Sequence, residues 1–266
     1  MAYSKMNILE KIVARKKEEV AARKQVTSAA QLKAMPAFQR SCISLKERLM
    51  SGKTSGIIAE YKRQSPSKGV INASADVVEV TTAYAQAAAG ISVLTDADFF
   101  GGSAVDLMRA RVQEVPILRK DFMIDTYQLD EAKAMGADVI LLIAACLSID
   151  EVATMAAYAK AIGLEVLLEI HDATELKHIC TDVDMVGVNN RNLKTFEVSL
   201  DTSLNLIQQL PKDKPAVAES GISSVENILL LEKAGFKGFL VGENFMKTSE
   251  PGKAFLEFVE ALRFAR

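Results

Sequence analysis

One pattern repeats along the chain from residue 57 to its end and limits the folds that it can adopt. Each repeat has a short apolar run typical of a β-strand, then a polar loop, then a longer Ala-, Leu-, Glu- and Lys-rich segment with helical periodicity. Strands that are apolar almost throughout and alternate with helices indicate a parallel sheet covered by helices. The eight predicted strands are residues 57–62, 91–95, 116–120, 138–143, 165–170, 185–189, 216–219 and 238–242.

Eight strand–helix units in about 210 residues predict a closed (β/α)8 barrel, the TIM-barrel arrangement. The alternative is an open, doubly wound sheet, in which a glycine-rich dinucleotide loop would follow the first strand. Residues 63–69 read RQSPSKG at that position, so the barrel is favoured. Three helices are predicted to begin at serines that have an acid within three residues, at Ser74, at Ser148 and at the pair Ser223-Ser224.

Residues 1–50 precede the repeat and are predicted to form an N-terminal helical extension packed on the barrel. The barrel would consist of residues 51–266, and the two parts would form a single domain. Ile8, Ile12, Val13 and Val20 mark one face of a charged helix. Its mixed charges and its lack of an aromatic face favour packing on the barrel over binding to a membrane. A second predicted helix, residues 45–50, would cap the bottom of the barrel.

The composition excludes several classes of protein. The 32 Lys and Arg residues nearly balance the 34 Asp and Glu residues, whereas a nucleic-acid-binding protein needs a clustered cationic excess. The three cysteines are scattered without CxxC spacing, so neither a disulfide framework nor a metal site is expected. No signal peptide or membrane span is recognised. We expect a cytoplasmic protein that does not bind membranes, and we expect it to be a monomer.

Charged and polar side chains follow several predicted strands, at the ends where active sites of parallel barrels lie. One charge at a strand end usually marks only the point where the chain meets water. Its recurrence along the chain favours a pocket in which lysines and glutamates compensate one another and act as general acids and bases. These residues are Glu60 and Lys62 at strand 1, Lys120 at strand 3, Glu169 at strand 5, Asn189 and Arg191 at strand 6, and Glu219 at strand 7.

Two glycine-containing turns suggest a phosphate site. Ser220-Gly221 follows strand 7 and Gly242-Glu243 follows strand 8. Barrels often bind phosphate at these two turns through backbone N–H groups and a short helix N-terminus. Ser65, after strand 1, could add a hydroxyl.

Aromatic residues and histidines give weaker signals. Phe100 and Phe122 fall just after strands 2 and 3, where they could wall an aromatic substrate or anchor loops, and spacing alone does not decide. The two histidines, His171 and His178, are predicted to lie on the surface of one helix. Asp121 is expected to face away from the pocket if Lys120 faces into it.

Five segments of the chain together resemble one enzyme family. The first, residues 58–69 (IAEYKRQSPSKG), is long and resembles the hallmark segment of indole-3-glycerol-phosphate synthase, and the match covers nearly the whole chain in order. The resemblance implies a (β/α)8 barrel with an N-terminal helical extension and no metal or redox cofactor. It also implies conversion of 1-(o-carboxyphenylamino)-1-deoxyribulose 5-phosphate to indole-3-glycerol phosphate, CO2 and water, in tryptophan biosynthesis. The other segments are residues 100–103 (FGGS), 118–122 (LRKDF), 189–193 (NNRNL) and 218–222 (AESGI).

The resemblance also implies roles for individual residues. Lys120 matches the family's general acid, while Glu169 and Glu60 match groups credited with base chemistry and with stabilising a cationic intermediate. Lys62 would lie near the phosphate and protonate the departing hydroxyl. Asn189 and Glu219 would position the substrate hydroxyls and the lysines, and Arg191 would hold the polar mouth or the substrate carboxylate. The remaining substrate-binding residues would be Ser65, Ser220, Gly221, Gly242 and Glu243 at the phosphate, and Phe100 and Phe122 at the anthranilate ring.

Departures from the family pattern are modest. Asn192 stands where Asp is expected, and Thr126 where Pro is common. Glu243 places a carboxylate beside the expected phosphate, so its side chain must turn outward. Two alternatives stay open. One is another phosphate-binding barrel enzyme, such as an isomerase or a Schiff-base aldolase that uses Lys120, and the other is a barrel that binds a phosphorylated metabolite without catalysis.

Overall fold

A computed structural model describes residues 7–193 and 195–266 and confirms the barrel. The eight strands are parallel and close on themselves, because the first strand pairs with the second on one side and with the eighth on the other. This closure excludes the open sheet, and each strand begins and ends within one residue of its prediction. The strands are β1 (Ile57–Tyr61), β2 (Gly90–Leu94), β3 (Ile117–Lys120), β4 (Val139–Ile143), β5 (Glu165–Ile170), β6 (Met185–Asn189), β7 (Ala216–Glu219) and β8 (Gly238–Val241).

Helices precede the barrel and follow its strands. The described residues form α1 (Ile8–Val26), α2 (Ala29–Lys33), α3 (Leu45–Met50), α4 (Val77–Ala85), α5 (Ala104–Ala110), α6 (Tyr127–Met135), α7 (Ile149–Ala161), α8 (Asp201–Leu206), α9 (Val225–Ala234), α10 (Glu243–Met246) and α11 (Pro251–Ala265). Short 3-10 helices lie at Pro36–Gln39, Ala144–Cys146, Ala173–His178 and Ile207–Gln209, and a small hairpin pairs Gln64–Ser65 with Gly69–Val70. The first six residues, where no signal peptide is recognised, lie outside the described part of the chain.

Most of the predicted helix starts are found. Ser148 and Ser224 cap α7 and α9, although the reciprocal partner of Ser224 is Asn227 rather than an acid. The prediction for Ser74 is wrong, since α4 begins after Asp76. The Asp76 carboxylate is two residues nearer the apolar run and accepts hydrogen bonds from two backbone N–H groups of the first turn.

Alternate strand residues fill the inside of the barrel, and α3 closes its amino-terminal end. Ile58, Leu118 and Leu167 belong to this interior cluster, and Leu45 and Leu49 of α3 pack into it. The other face of each strand packs against the surrounding helices in a second, larger core. Helix α3 therefore covers the amino-terminal end of the barrel, and the carboxyl ends of the strands are left for a site.

Helix α1 reaches the carboxyl end of the barrel through a buried face that contains Ile12, Lys16 and Val20. Val13, predicted to share this face, is only half-buried. Lys16 is 1% exposed, and its Nζ lies 2.7 Å from Asp96 Oδ2 and 3.1 Å from Asp121 Oδ1. Since Asp96 and Asp121 follow β2 and β3, this lysine joins α1 to the loops above both strands. None of the helices in the described ranges is long and apolar enough to cross a membrane.

Candidate active site

The alternation of the strands explains why charged side chains converge at one end of the barrel. In four strands a residue of the interior cluster is followed two positions later by a charged residue: Ile58 by Glu60, Leu118 by Lys120, Leu167 by Glu169, and Val217 by Glu219. Side chains two apart share a face of a strand, so all four charged groups point into the mouth of the barrel.

One pocket at this end contains every residue that the sequence assigns to the site. Helix α1 contributes Ile8, Leu9 and Ile12, which the sequence had not assigned to it. The fourteen predicted residues that line the pocket are Glu60, Lys62, Ser65, Phe100, Lys120, Phe122, Glu169, Asn189, Arg191, Glu219, Ser220, Gly221, Gly242 and Glu243.

Lys120 lies between two buried carboxylates. Its Nζ is 3.2 Å from Glu169 Oε2 and 3.4 Å from Glu219 Oε2. Burial opposes the positive charge, but Glu169, Glu219 and Glu60 outweigh it and raise the pKa of Lys120 above its usual value. The lysine is therefore an ammonium ion that can donate a proton when negative charge develops beside it.

The two carboxylates beside Lys120 have different surroundings. Glu169 also accepts a hydrogen bond from Asn189 Nδ2 at 3.0 Å, and His171 Nε2 lies 3.2 Å from its Oε1. Burial opposes ionisation of Glu169, but Lys120 and His171 together lower its pKa. Asn189 thus contacts Glu169 rather than a lysine, and its Oδ1 accepts the backbone N–H of Arg191 at 3.0 Å.

Glu219 has fewer donors than Glu169. Within the described part of the chain, neither Glu219 carboxylate oxygen accepts a hydrogen bond, although Lys120 is nearby. Burial raises the pKa of Glu219 to about 8, despite Lys120, and the neighbouring Glu169 charge adds to the effect. A Cβ atom on Gly187 of β6 would collide with Glu219 Oε1, so glycine at that position leaves the space that this carboxyl occupies.

A second acid–base pair comes from β1 and the residue after it. Lys62 Nζ lies 2.7 Å from Glu60 Oε1, and Glu60 is buried. The backbone of Gly242 passes close to this pair, since a Cβ there would lie 2.7 Å from Glu60 Oε1. The pair therefore lies next to the turn after β8.

The two turns predicted to bind phosphate line the same part of the pocket. Ser220 and Gly221 both have positive φ, 66° and 78°, which is an uncommon conformation for serine. Asn190 holds this turn, because its Nδ2 donates to the Ser220 carbonyl oxygen at 3.1 Å. After β8 the short helix α10 begins at Glu243, whose carboxylate lies 3.7 Å from Lys68 Nζ at the partly exposed rim. The Glu243 side chain thus turns outward, as the sequence requires.

The opposite part of the pocket is apolar. The rings of Phe100 and Phe122 lie 5.9 Å apart, centroid to centroid, and both line the pocket. Of the two interpretations that spacing left open, the structure supports the pocket wall. The Asp121 carboxylate pairs with Arg119 and Lys16, in keeping with its expected orientation away from Lys120.

The prediction for the histidines is wrong. His171 directly follows β5 and lies beside Glu169, while His178 is buried at the end of a 3-10 helix, with both ring nitrogens 3.1 Å from backbone carbonyl oxygens. The missed signal was spacing, since His171 is two residues after Glu169, as Lys62 is after Glu60. No cluster of three His, Cys, Asp or Glu side chains in residues 7–193 and 195–266 is arranged to hold a metal ion.

Comparison with known sequences identifies the family of the chain. The family model for indole-3-glycerol phosphate synthase matches residues 9–258. The chain belongs to that family. It is 48% identical over 259 residues to the indole-3-glycerol phosphate synthase of Bacteroides thetaiotaomicron, covering 97% of this chain and 99% of that protein. The protein of the same name from Polynucleobacter asymbioticus is 43% identical over 262 residues, covering 94% of this chain and 98% of its own length.

Solved structures share the fold at low sequence identity. The tryptophan synthase a2b2 complex of Pyrococcus furiosus contains a chain that superposes with a TM-score of 0.58 at 18% identity, covering 80% of this chain and 99% of that one. A mutant tryptophan synthase alpha-subunit of the same organism gives a TM-score of 0.61 at 17% identity, with the same coverage. These likenesses support the barrel and say nothing of its chemistry.

Proposed function

We propose that this chain converts 1-(o-carboxyphenylamino)-1-deoxyribulose 5-phosphate to indole-3-glycerol phosphate, with loss of CO2 and water, in tryptophan biosynthesis. The observation that carries the proposal is Lys120 between Glu169 and Glu219, in a pocket with one apolar end and two glycine turns at the other. Such a substrate has an aromatic ring, a ketone in the middle and a terminal phosphate. The pocket offers a matching group at each of these three places.

The first chemical step forms a carbon–carbon bond. The ring carbon that bears the carboxylate attacks the ketone carbon, and the carbonyl electron pair moves onto oxygen. Lys120 donates a proton to that oxygen, while ionised Glu169 faces the positive charge that spreads to the ring nitrogen. The carboxylate then leaves as CO2, and its bonding electrons restore the aromatic ring. Glu219, which holds a proton beside Lys120, returns one to the lysine.

The second stage removes water. Lys62 protonates the hydroxyl, which leaves as water, and Glu60 accepts a proton from the carbon next to nitrogen, so that the pyrrole double bond forms. Because Glu60 and Lys62 are 2.7 Å apart, the accepted proton can return directly to the lysine. Overall both lysines regain their protons, and Glu219 takes up one proton from solvent, which balances the negative charge lost when the carboxylate leaves as CO2.

The remaining residues hold the substrate. Backbone N–H groups at the Ser220–Gly221 and Gly242–Glu243 turns bind the phosphate, and Ser65 adds a hydroxyl. Phe100 and Phe122 pack on the aromatic ring. Arg191 and Asn189 lie at the polar mouth, where they meet the substrate carboxylate and hydroxyls.

A Schiff-base aldolase is less consistent with the site. A lysine that attacks a carbonyl must be neutral, and enzymes usually reach that state by desolvation or a neighbouring cation. Lys120 instead lies 3.2 Å from the ionised Glu169 carboxylate, which keeps the lysine charged.

The test adds the carboxyphenylamino-deoxyribulose phosphate to purified protein and follows indole fluorescence, against a low background because the chain has no Trp. We expect a rise that is absent in Lys120→Met, while that variant still binds substrate. Lys160→Met, a change at an exposed lysine, is the matched control and should behave like the parent. Borohydride trapping of Lys120 by a carbonyl substrate would instead support the aldolase, and binding without turnover would support the non-catalytic barrel.

The organisation of the protein is also part of the proposal. All pocket residues come from one chain, so we propose an active monomer in which residues 1–50 form an extension on the barrel of residues 51–266. The three cysteines are free thiols, which fits a cytoplasmic location.

A further inference from the structure

Three charged side chains form a line from the pocket into the loop after β5. His171 Nε2 lies 3.2 Å from Glu169 Oε1, and His171 Nδ1 lies 3.3 Å from Glu175 Oε2. The backbone N–H of His171 also donates to Glu175 Oε2 at 2.7 Å. The His171 side chain is 12% exposed and does not line the pocket. It therefore reaches the reaction only through Glu169.

The placement of both ring nitrogens against carboxylates indicates the charge of the histidine. A neutral imidazole has one N–H and one lone pair, so one nitrogen would direct its lone pair at a carboxylate oxygen. An imidazolium donates from both nitrogens and suits both neighbours. Burial opposes this charge, but Glu169 and Glu175 outweigh it and raise the pKa of His171 to about 10.

The other titratable groups around this line are acidic or neutral. Asp172 is the next residue in the chain, and His171 helps to lower its pKa. Cys146, from the 3-10 helix after β4, is subject to the charges of Glu169 and Glu175, and burial raises its pKa to about 12. Lys120, a cation on the far side of Glu169, is the exception. The acidic neighbour among these groups, Asp172, favours the protonated histidine.

The histidine also accounts for the difference between the two carboxyls beside Lys120. Glu169 has Lys120, Asn189 and His171 around it, whereas Glu219 has Lys120 as its cation and Glu169 as an acidic neighbour. We propose that His171, oriented by Glu175, is a positioning residue that holds Glu169 as an anion against Lys120 during ring closure. The inference rests on the proposed function for its kinetic consequences. It makes Glu219, rather than Glu169, the carboxyl that carries the proton.

The first test needs no substrate. The chain has two histidines, so nitrogen-15 labelling of histidine gives two imidazole spectra, and His178→Gln leaves only that of His171. We expect the His171 spectrum to be that of an imidazolium at pH 7.5 and to titrate only well above that pH. A neutral His171 at pH 7.5 would overturn the proposal, whatever the enzyme activity.

The second test measures the reaction. His171→Gln should lower kcat by roughly tenfold with KM changed by less than about twofold, because the positive charge 3.2 Å from Glu169 is lost. Without the imidazolium, Glu169 takes up a proton more easily. The acidic limb of the pH profile of kcat should therefore move to higher pH, by about one unit. Glu175→Gln should shift the limb in the same direction by a smaller amount, and it provides the test if His171→Gln does not fold.

The matched control is His178→Gln, the same substitution at the other histidine of this loop. His178 contacts backbone carbonyl oxygens and not Glu169, so this variant should keep the parental pH profile even if its stability falls. An unshifted acidic limb in His171→Gln and Glu175→Gln would overturn the positioning role. A parent protein without synthase activity would instead refute the proposed function, and the imidazole spectrum would still decide the charge of His171.

Discussion

Replacing Lys16 with methionine tests whether one buried lysine fastens α1 to the barrel. Lys16 and Asp96 are 1% and 0% exposed, and their charged atoms are 2.7 Å apart. Methionine keeps most of the apolar volume but leaves the Asp96 charge without its cation. Of the two other partners of Lys16, Asp121 keeps Arg119 at 3.1 Å, and Glu19, 2.8 Å from Lys16 in the parent, keeps Arg23 at 3.6 Å. Removing one member of a buried ion pair costs about 3–5 kcal/mol, a large part of the about 5–15 kcal/mol that stabilises a typical domain.

The loss of stability should depend on pH. Burial raises the pKa of Asp96 even with Lys16 beside it, and without Lys16 this pKa rises further. A carboxyl whose pKa is higher in the folded than in the unfolded state stabilises the fold at low pH and loses that contribution as pH rises. The difference in unfolding free energy between the parent and Lys16→Met should therefore be largest above neutral pH. It should shrink as pH falls towards 5.

Urea unfolding followed by circular dichroism at several pH values measures this difference. Arg15→Met is the matched control, because Arg15 is the preceding residue and its ion pair with Asp98 is exposed, so little change is expected. The double variant Lys16→Met with Asp96→Asn should recover part of the loss, since the unpaired charge is gone. A loss below about 1 kcal/mol for Lys16→Met, or no recovery in the double variant, would refute the reasoning. KM should rise as well, because α1 carries Ile8, Leu9 and Ile12 into the pocket.

Two further predictions concern Glu219. Gly187→Ala should lower kcat by at least about tenfold, because the new Cβ displaces the Glu219 carboxyl. The control Gly238→Ala, at the closed end of the barrel, should reduce thermal stability and leave kcat unchanged. Equal kcat values for the two variants would contradict the prediction. Glu219→Gln should become more stable than the parent as pH rises from 4.5 to about 8, because the folded parent retains a proton over this range that the unfolded chain releases. Thermal unfolding across that range measures the difference, and a difference independent of pH would show that Glu219 is ionised in the fold.

Much of the fold could be predicted because it depends on local pattern. Apolar runs, polar loops and helical periodicity alternate eight times, and the strand bounds follow to within one residue. The helix start at Asp76 was missed, because the side chains of Ser74 and Asp76 can both accept hydrogen bonds from the first turn of a helix. Only the backbone geometry decides which of the two residues is the N-cap. The fourteen site residues meet in one pocket because strand alternation and parallel closure direct them to the same end.

Contacts between distant parts of the chain decided the rest. By its own pattern α1 is a charged surface helix, and only the carboxylates after β2 and β3 make Lys16 a buried residue. The histidines, seven residues apart, suggested one helix, but the strand continues to Ile170 and places His171 beside Glu169. The sequence by itself determined the barrel and which side chains enter its mouth, because strand period and strand order are local properties. The tertiary structure decided that the pKa of Glu219 is raised while that of Glu169 is lowered. These shifts depend on burial and on hydrogen-bond donors and charges brought from other strands.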